Sequence, residues 1–176
     1  AFRISSIIKA LKSYTYLDQS PVVRTNIHQG LDDTLLILRH KLKNEINVRR
    51  EYAPDLPEIE AHGSELNQVW TNLIDNAVDA LREAATPDPT ITLRTRREGG
   101  WVIVTIEDNG TGITEENLPR IFESFFTTKP IGHGTGLGLD ISYNIVARKH
   151  KGDIRVSSRP GCTQFEVWLP IEMKED

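Results

Sequence analysis

Two asparagines one helical turn apart, Asn72 and Asn76, are the first residues in this chain whose type and spacing could do chemistry. With Asp79 and Glu83 they fall within roughly 60° of one another at 3.6 residues per turn. They line the edge of an apolar stripe made by Leu66, Val69, Trp70, Leu73, Ala77 and Leu81. Asparagine is a poor helix former, so two of them at i and i+4 need a reason. One reading is a solvated helix face. The other is an oxygen-ligand edge for a hard cation such as Mg2+, which takes a few protein oxygens and completes its shell with phosphate and water.

The second candidate is the stretch from Asp108 to Leu139, which holds six of the 12 glycines, at 110, 112, 132, 134, 136 and 138. It opens on Asp108-Asn-Gly-Thr-Gly-Ile113 and closes on Gly132-His-Gly-Thr-Gly-Leu-Gly-Leu139. Between the clusters lies the aromatic segment Ile121-Phe-Glu-Ser-Phe-Phe-Thr-Thr-Lys129. Glycine permits positive φ and close backbone approach, so the pair predicts a mobile loop hinged at both ends. The second cluster runs into the apolar pattern Leu137, Ile141, Ile145, Val146. A glycine-rich turn feeding a helix N-terminus presents unpaired N–H groups that favour phosphate. No Gly-Lys-Ser/Thr follows, which excludes a P-loop, and the spacing excludes a dinucleotide-binding fingerprint.

These residues need elements to hold them. The length, 176 residues with 38% hydrophobic and 26% charged, suits one soluble domain with a real core and a short appendage. The net charge of −4 argues against a general nucleic-acid binder. No apolar run approaches membrane-spanning length, and the single Cys162 excludes an intrachain disulfide and fits a reducing compartment. The chain begins at Ala1 inside a helical pattern, Phe2 to Leu17. That pattern is either an ordinary terminal helix or the partner helix of a bundle, and the chain is expected to be a fragment of something longer.

Periodicity predicts a strand over 22–27, a helix over 29–42 with Leu31, Leu35, Leu38 and Leu42 inward, and strands over 46–52 and 59–61. A helix over 65–85 follows, with Ser64 as its cap. Next come a hairpin of 90–96 and 101–106 turned at Gly99-Gly100, a helix over 136–150, and strands over 154–157 and 163–169. The order predicts an α+β fold, a two-layer sandwich with a mixed sheet covered by helices on one face.

Taken together the motifs resemble the histidine-kinase branch of the GHKL ATPases. Asn72 to Ala80 is similar to the N box, Asp108 to Gly112 to the first glycine box, Ile121 to Lys129 to the F box, and Gly134 to Gly138 to the second glycine box. Gly161-Cys-Thr163, Phe165 and Leu169-Pro170 resemble the closing strand motif. The resemblance covers about residues 22–170, and Phe125-Phe-Thr-Thr-Lys129 looks most like the nitrogen-regulation type. It implies a Bergerat fold that binds ATP under a mobile lid running from about Thr114 to Gly134. Residues 1–20 would be the end of a dimerisation and phosphoacceptor helix, 21–172 the ATP-binding domain, and 173–176 a tail.

The resemblance also implies roles. Asn76 would hold Mg2+, with Asn72 assisting and Asp79 nearby. Asp108 would accept a hydrogen bond from the adenine amino group, and a carboxylate, being acceptor-only, can select that group over the carbonyl of guanine. Gly110, Gly112 and Ile113 would lie at the base, Ala80 on the base or ribose side, and Thr163 in support of the adenine end. Lys129, Gly134, Thr135, Gly136, Leu137 and Gly138 would surround the phosphates, with His133 in contact with phosphate. Phe122, Phe125 and Phe126 would anchor the lid, serve as plain core, or both.

Two departures bear on function. None of His28, His40, His62, His133 and His150 sits in a phosphoacceptor box, and His28 reads as structural. Position 72 is Asn where hydrolases of the same superfamily carry a Glu that activates water, and an amide cannot act as a general base. The resemblance therefore implies the catalytic domain of a two-component sensor histidine kinase. It would act on a histidine in a dimerisation domain outside this chain and relay to a response-regulator aspartate, in a cytoplasmic domain of a homodimeric parent that membrane anchoring could hold. The alternatives are a serine kinase of an anti-sigma system and a nucleotide-binding module without transfer activity.

Overall fold

The computed structural model describes residues 21–43, 45–124, 126, 128 and 138–173. Its elements in order are β1 (Val23–Thr25), α1 (Ile27–Ile37), the single turn α2 (Arg39–Leu42), β2 (Asn47–Glu51), β3 (Ile59–Ala61), α3 (Gly63–Ala84), β4 (Thr90–Glu98) and β5 (Trp101–Asp108). A 3-10 turn at Leu118–Arg120, α4 (Gly138–Tyr143) with a π-helical continuation Asn144–Lys149, β6 (Asp153–Arg159) and β7 (Cys162–Pro170) complete it. The expected partner helix over 1–20 lies outside the described residues.

Five strands form the main sheet in the order β2-β4-β5-β7-β6. β2 runs parallel to β4 and the other pairs are antiparallel, so the sheet is mixed, as the sequence predicts. One face carries Ile91, Leu93, Val102, Val104, Ile106, Phe165, Val167 and Leu169 into a core shared with Leu31 and Leu35 of α1 and Leu66, Trp70, Leu73, Ile74 and Leu81 of α3. The other face is mixed: Arg94 lies between Glu51 and Glu107 and Arg96 pairs with Glu166, while Ile103, opposite Arg96 and Trp168 in the register, is buried.

Several expectations change. β1 and β3 pair with each other in a separate two-stranded sheet, not with the mixed sheet. β1 stops at Thr25 because Asn26 caps α1, its Oδ1 accepting from Gln29 N at 3.1 Å. The single helix expected over 29–42 breaks at Leu38, whose φ and ψ are −88° and 5°, although Leu38 and Leu42 stay buried; the apolar period survives the break in the backbone. Ser64 is not the cap of α3. The helix begins at Gly63 after His62 with no side-chain cap of its own, and Ser64 Oγ donates to Glu65 Oε2.

The residue that precedes the helix is held from far along the chain. His62 N donates to His150 Nε2 at 3.0 Å, and His150 Nδ1 donates to Ile145 O at 2.8 Å. Lys149 reinforces the joint by pairing with Glu65 at 3.2 Å. The helix expected over 136–150 is described only from Gly138, and its second half winds as a π-helix. No described helix is long and apolar enough to cross a membrane.

Candidate nucleotide site

β5 alternates Val102, Val104, Ile106 toward the core, and that alternation carries the next inward residue, Asp108, inside with them. Asp108 is 5% exposed. Burial pushes its carboxyl up to about 6; the Gly110 N–H opposes this and the neighbouring Glu107 charge adds to it. Gly110 N donates to Asp108 Oδ1 at 2.9 Å, and no other hydrogen bond to this carboxylate comes from the described residues.

The first glycine box is a close-packed turn. A Cβ on Gly110 would lie 2.9 Å from Asp108 Oδ1 and 3.0 Å from the Ala80 carbonyl of α3. Gly112 has φ +87°, and a Cβ there would lie 2.7 Å from Arg159 O. Only glycine fits either place. Gly161 N donates to Gly110 O at 3.1 Å, and Thr111 Oγ1 reaches Ala80 O at 3.4 Å. Asn109 anchors the turn from behind, accepting from Thr90 N at 2.8 Å and donating to Asp88 O at 3.1 Å. Thr163 sits directly across from Asp108 in the β5–β7 register, 4% exposed. Asp108, Gly110, Gly112, Ile113, Ala80 and Thr163 are thus gathered at one end of the sheet.

The two asparagines differ. Asn72 Oδ1 accepts from Gln68 Nε2 at 2.8 Å, while its Nδ2 donates to Gly138 O at 2.9 Å and Ser142 Oγ at 3.1 Å. Its amide ties α3 to the first turn of α4. The side chain of Asn76, half-buried one turn later, makes no hydrogen bond to the described residues. Asp79 follows on the same edge.

The segment expected to be a lid is described through Ser124 and again at Phe126 and Thr128. It is a run of turns begun by Thr114, whose Oγ1 accepts from Asn117 N at 3.2 Å, and Ile121 is buried in the core. Phe122 and Phe126 pack against that core, and Phe122 meets Tyr143 at 5.4 Å between centroids. Lys129, His133, Gly134, Thr135, Gly136, Leu137 and Phe125 lie outside the described residues. His28 is structural, as its place in the sequence predicts: Nε2 is 2.7 Å from Thr95 Oγ1, and the ring stacks on Tyr52 at 4.2 Å.

Sequence reading missed Ser158 and Asn109. Ser158 Oγ accepts from Ile113 N at 2.7 Å and lies 2.7 Å from Thr163 Oγ1. Its signal was the alternation Ile154, Val156, Ser158, which a strand ended at Ser157 cuts off.

Residues 61–173 match the family of histidine kinase-, DNA gyrase B- and HSP90-like ATPases. The chain belongs to that family. Over 99% of its length it is 32% identical to sensor kinase CckA of Brucella abortus (strain 2308), covering 20% of that protein. Over 96% it is 31% identical to the sensory histidine kinase/phosphatase NtrB of Rhizobium leguminosarum bv. phaseoli, covering 46%. The chain thus spans less than half of these relatives. Among solved structures, the nucleotide-free catalytic domain of histidine kinase ThkA superposes with a TM-score of 0.75 at 28% identity, over 86% of this chain and 96% of that one. The fold is that of a histidine-kinase catalytic ATPase domain, and ATP is the ligand the family implies.

Proposed function

We propose that this chain binds Mg–ATP beside α3 and supplies the γ-phosphoryl group to a histidine on a dimerisation and phosphoacceptor domain. The observation that carries the reading is the Asp108 carboxylate, buried at a strand end, held by Gly110 through one oxygen and backed by Thr163. In its charged form that group is an acceptor suited to an exocyclic amine. Gly112 and Ile113 flank the base in this reading, with Ala80 behind.

Asn76 suits the metal because its amide has no partner among the described residues. Those residues bring together no group of three or more His, Cys, Asp or Glu. A cation would therefore rest on the Asn76 oxygen and on phosphate oxygens, the habit of Mg2+. Asn72 supports the site by holding α4 against α3, and Asp79 extends the polar edge. Lys129, His133 and the run from Gly134 to Gly138 complete the phosphate end, with Phe122 anchoring the covering segment. When bound, Mg2+ would neutralise phosphate charge.

In the transfer, the bond from the γ-phosphorus to the β–γ bridging oxygen breaks and a phosphorus–nitrogen bond to the acceptor imidazole forms, releasing ADP. No buried carboxylate stands at position 72 to activate water, which favours transfer over hydrolysis. For the whole protein we propose a homodimer acting in the cytoplasm, with a response-regulator receiver domain taking the phosphoryl group next. ThkA has been solved in complex with the response regulator protein TrrA. The test is to mix this chain, ATP and a fragment bearing the phosphoacceptor histidine. Acid-labile, alkali-stable label on the fragment is expected. Rapid phosphate release by the chain alone would make it a hydrolase, alkali-labile label on a partner would make it a serine kinase, and binding without transfer would leave a regulatory module.

A further inference from the structure

Four polar groups cross the interface between α3 and α4, and the direction of the bonds that join the two helices is forced. Gln68 Nε2 donates to Asn72 Oδ1 at 2.8 Å. Asn72 Nδ2 spends its two hydrogens on Gly138 O at 2.9 Å and Ser142 Oγ at 3.1 Å. Ser142 Oγ donates in turn to Gly138 O at 2.8 Å, because a carbonyl can only accept. Turning the Asn72 amide over would set its oxygen against the Gly138 oxygen. Ser142 is 0% exposed and lies in an apolar stretch with Ile141, Ile145 and Val146, all buried. A hydroxyl taken out of water there costs free energy that alanine would avoid, so filling space does not account for it. α4 is only six residues long, and the backbone changes to π-helical winding at Asn144. A helix that changes winding so early can settle on its neighbour in more than one register, and a fully satisfied buried network selects one.

We propose that Ser142 is a positioning residue for phosphoryl transfer. With Asn72 it fixes where Gly138, the last glycine of the second cluster, meets α3, one turn before Asn76. This deepens the ATP reading and rests on it, since that reading puts the second cluster at the phosphates. Ser142 acts through the Gly138 carbonyl and the Asn72 amide rather than on the nucleotide. In the step it serves, an imidazole nitrogen supplies the electron pair to the γ-phosphorus and the β–γ bridging oxygen leaves with ADP. The proton on the other ring nitrogen passes to solvent. Binding draws on the adenine end and the metal, whereas transfer depends on where the γ-phosphorus sits. A misplacement of about 1 Å can cost on the order of a hundredfold in rate. Loosening the α3–α4 joint therefore acts on the rate more than on affinity.

Transfer to the phosphoacceptor fragment at saturating Mg–ATP, with calorimetry of Mg–ATP on the same protein, tests this. In Ser142→Ala the transfer rate should fall by roughly ten- to a hundredfold, while the dissociation constant should change by about threefold or less. A purely structural role would lower the melting temperature and leave the rate of the folded variant at the wild-type value, which would overturn the proposal. A fall in affinity as large as the fall in rate would overturn it as well. Should Ser142→Ala fail to fold, Ser142→Cys is nearly isosteric with only a weak donor, and its rate must also fall. In each of these outcomes a wild type that binds ATP and labels the histidine leaves the ATP reading standing. Wild type that binds no ATP, or that labels no histidine, would overturn both.

Discussion

Two buried ionisable groups mark different regions of the molecule, His150 beside the start of α3 and Asp108 at the end of β5, and they have opposite characters. At the start of α3, His150 is 1% exposed and both its nitrogens are engaged, one by Ile145 O and one by His62 N. At the first glycine box, Asp108 is also buried, at 5% exposed, yet Gly110 reaches only one of its oxygens. Burial shifts both, His150 down to about 4 and Asp108 up to about 6. A shifted pKa by itself therefore does not mark a binding site. What separates the two is hydrogen-bonding capacity left open after folding. His150 closes a joint; Asp108 keeps an acceptor for a ligand. The same contrast recurs on α3 between Asn72, whose amide is fully used, and Asn76, whose amide is not.

Removing His150 should give the largest change, and it should be in stability. His150→Ala leaves the His62 N–H without its buried acceptor and opens a cavity, so a loss of about 3 kcal/mol is expected. Chemical denaturation measures it. ATP affinity of the folded variant should stay within about twofold of wild type. An equal fall in affinity would merge the two regions and break the contrast.

Asp108→Asn should do the reverse. A hydrogen bond to a charged group contributes about 1.5–3 kcal/mol, so ATP affinity should drop roughly ten- to a hundredfold. Stability at neutral pH should hold or rise, because the amide still accepts from Gly110 and removes a buried charge. Calorimetry showing unchanged affinity in the folded variant would sink the adenine assignment.

The asparagine pair sharpens the point on one helix. Asn76→Ala should cost roughly tenfold in Mg2+-dependent ATP affinity with little change in melting. Asn72→Ala should destabilise by about 1–2 kcal/mol, since it releases Gly138 O and Ser142 Oγ. The opposite pattern would transfer the metal role to Asn72.

The pH response is the smallest net effect because the two groups oppose. For His150 the folded value is depressed, so the unfolded chain binds more protons between about 4 and 6.5. Its stabilisation is complete above the unfolded value and is lost as pH falls through that window. For Asp108 the folded value is raised, so the folded chain holds more protons between its ordinary 3.8 and about 6. Stability from that group is present at the acid end and is lost as pH rises through about 6. Each effect is on the order of 3 kcal/mol, and they cancel in part. Denaturation of His150→Ala from pH 4 to 7 should expose the Asp108 trend alone, with stability falling as pH rises. ATP affinity should weaken below about pH 6 in wild type, and this step should be absent when Asp108→Asn is compared over the same range.

Much of this molecule was legible in one dimension. The strand alternation of 90–96 and 101–106, the apolar stripe of α3 and the glycines at 110 and 112 are short-range signals, carried by residue type and a period of two or 3.6. They were sufficient to predict the α+β class, the hairpin that delivers Asp108 and the helix edge that bears Asn72 and Asn76. The tertiary structure alone decided which groups remained open. Whether Asn72 or Asn76 keeps a free amide depends on where Gly138 and Ser142 pack, 66 and 70 residues away. The acceptor for the N–H of His62, the residue just before α3, lies 88 residues along the chain in His150, and the nearby Ser64 was a misleading cap. The pairing of β1 with β3 and the placing of Ser158 between Ile113 and Thr163 follow from sheet register and edge position. A hydrogen bond can be satisfied by any suitable partner that folding brings near, and no local pattern specifies which one arrives.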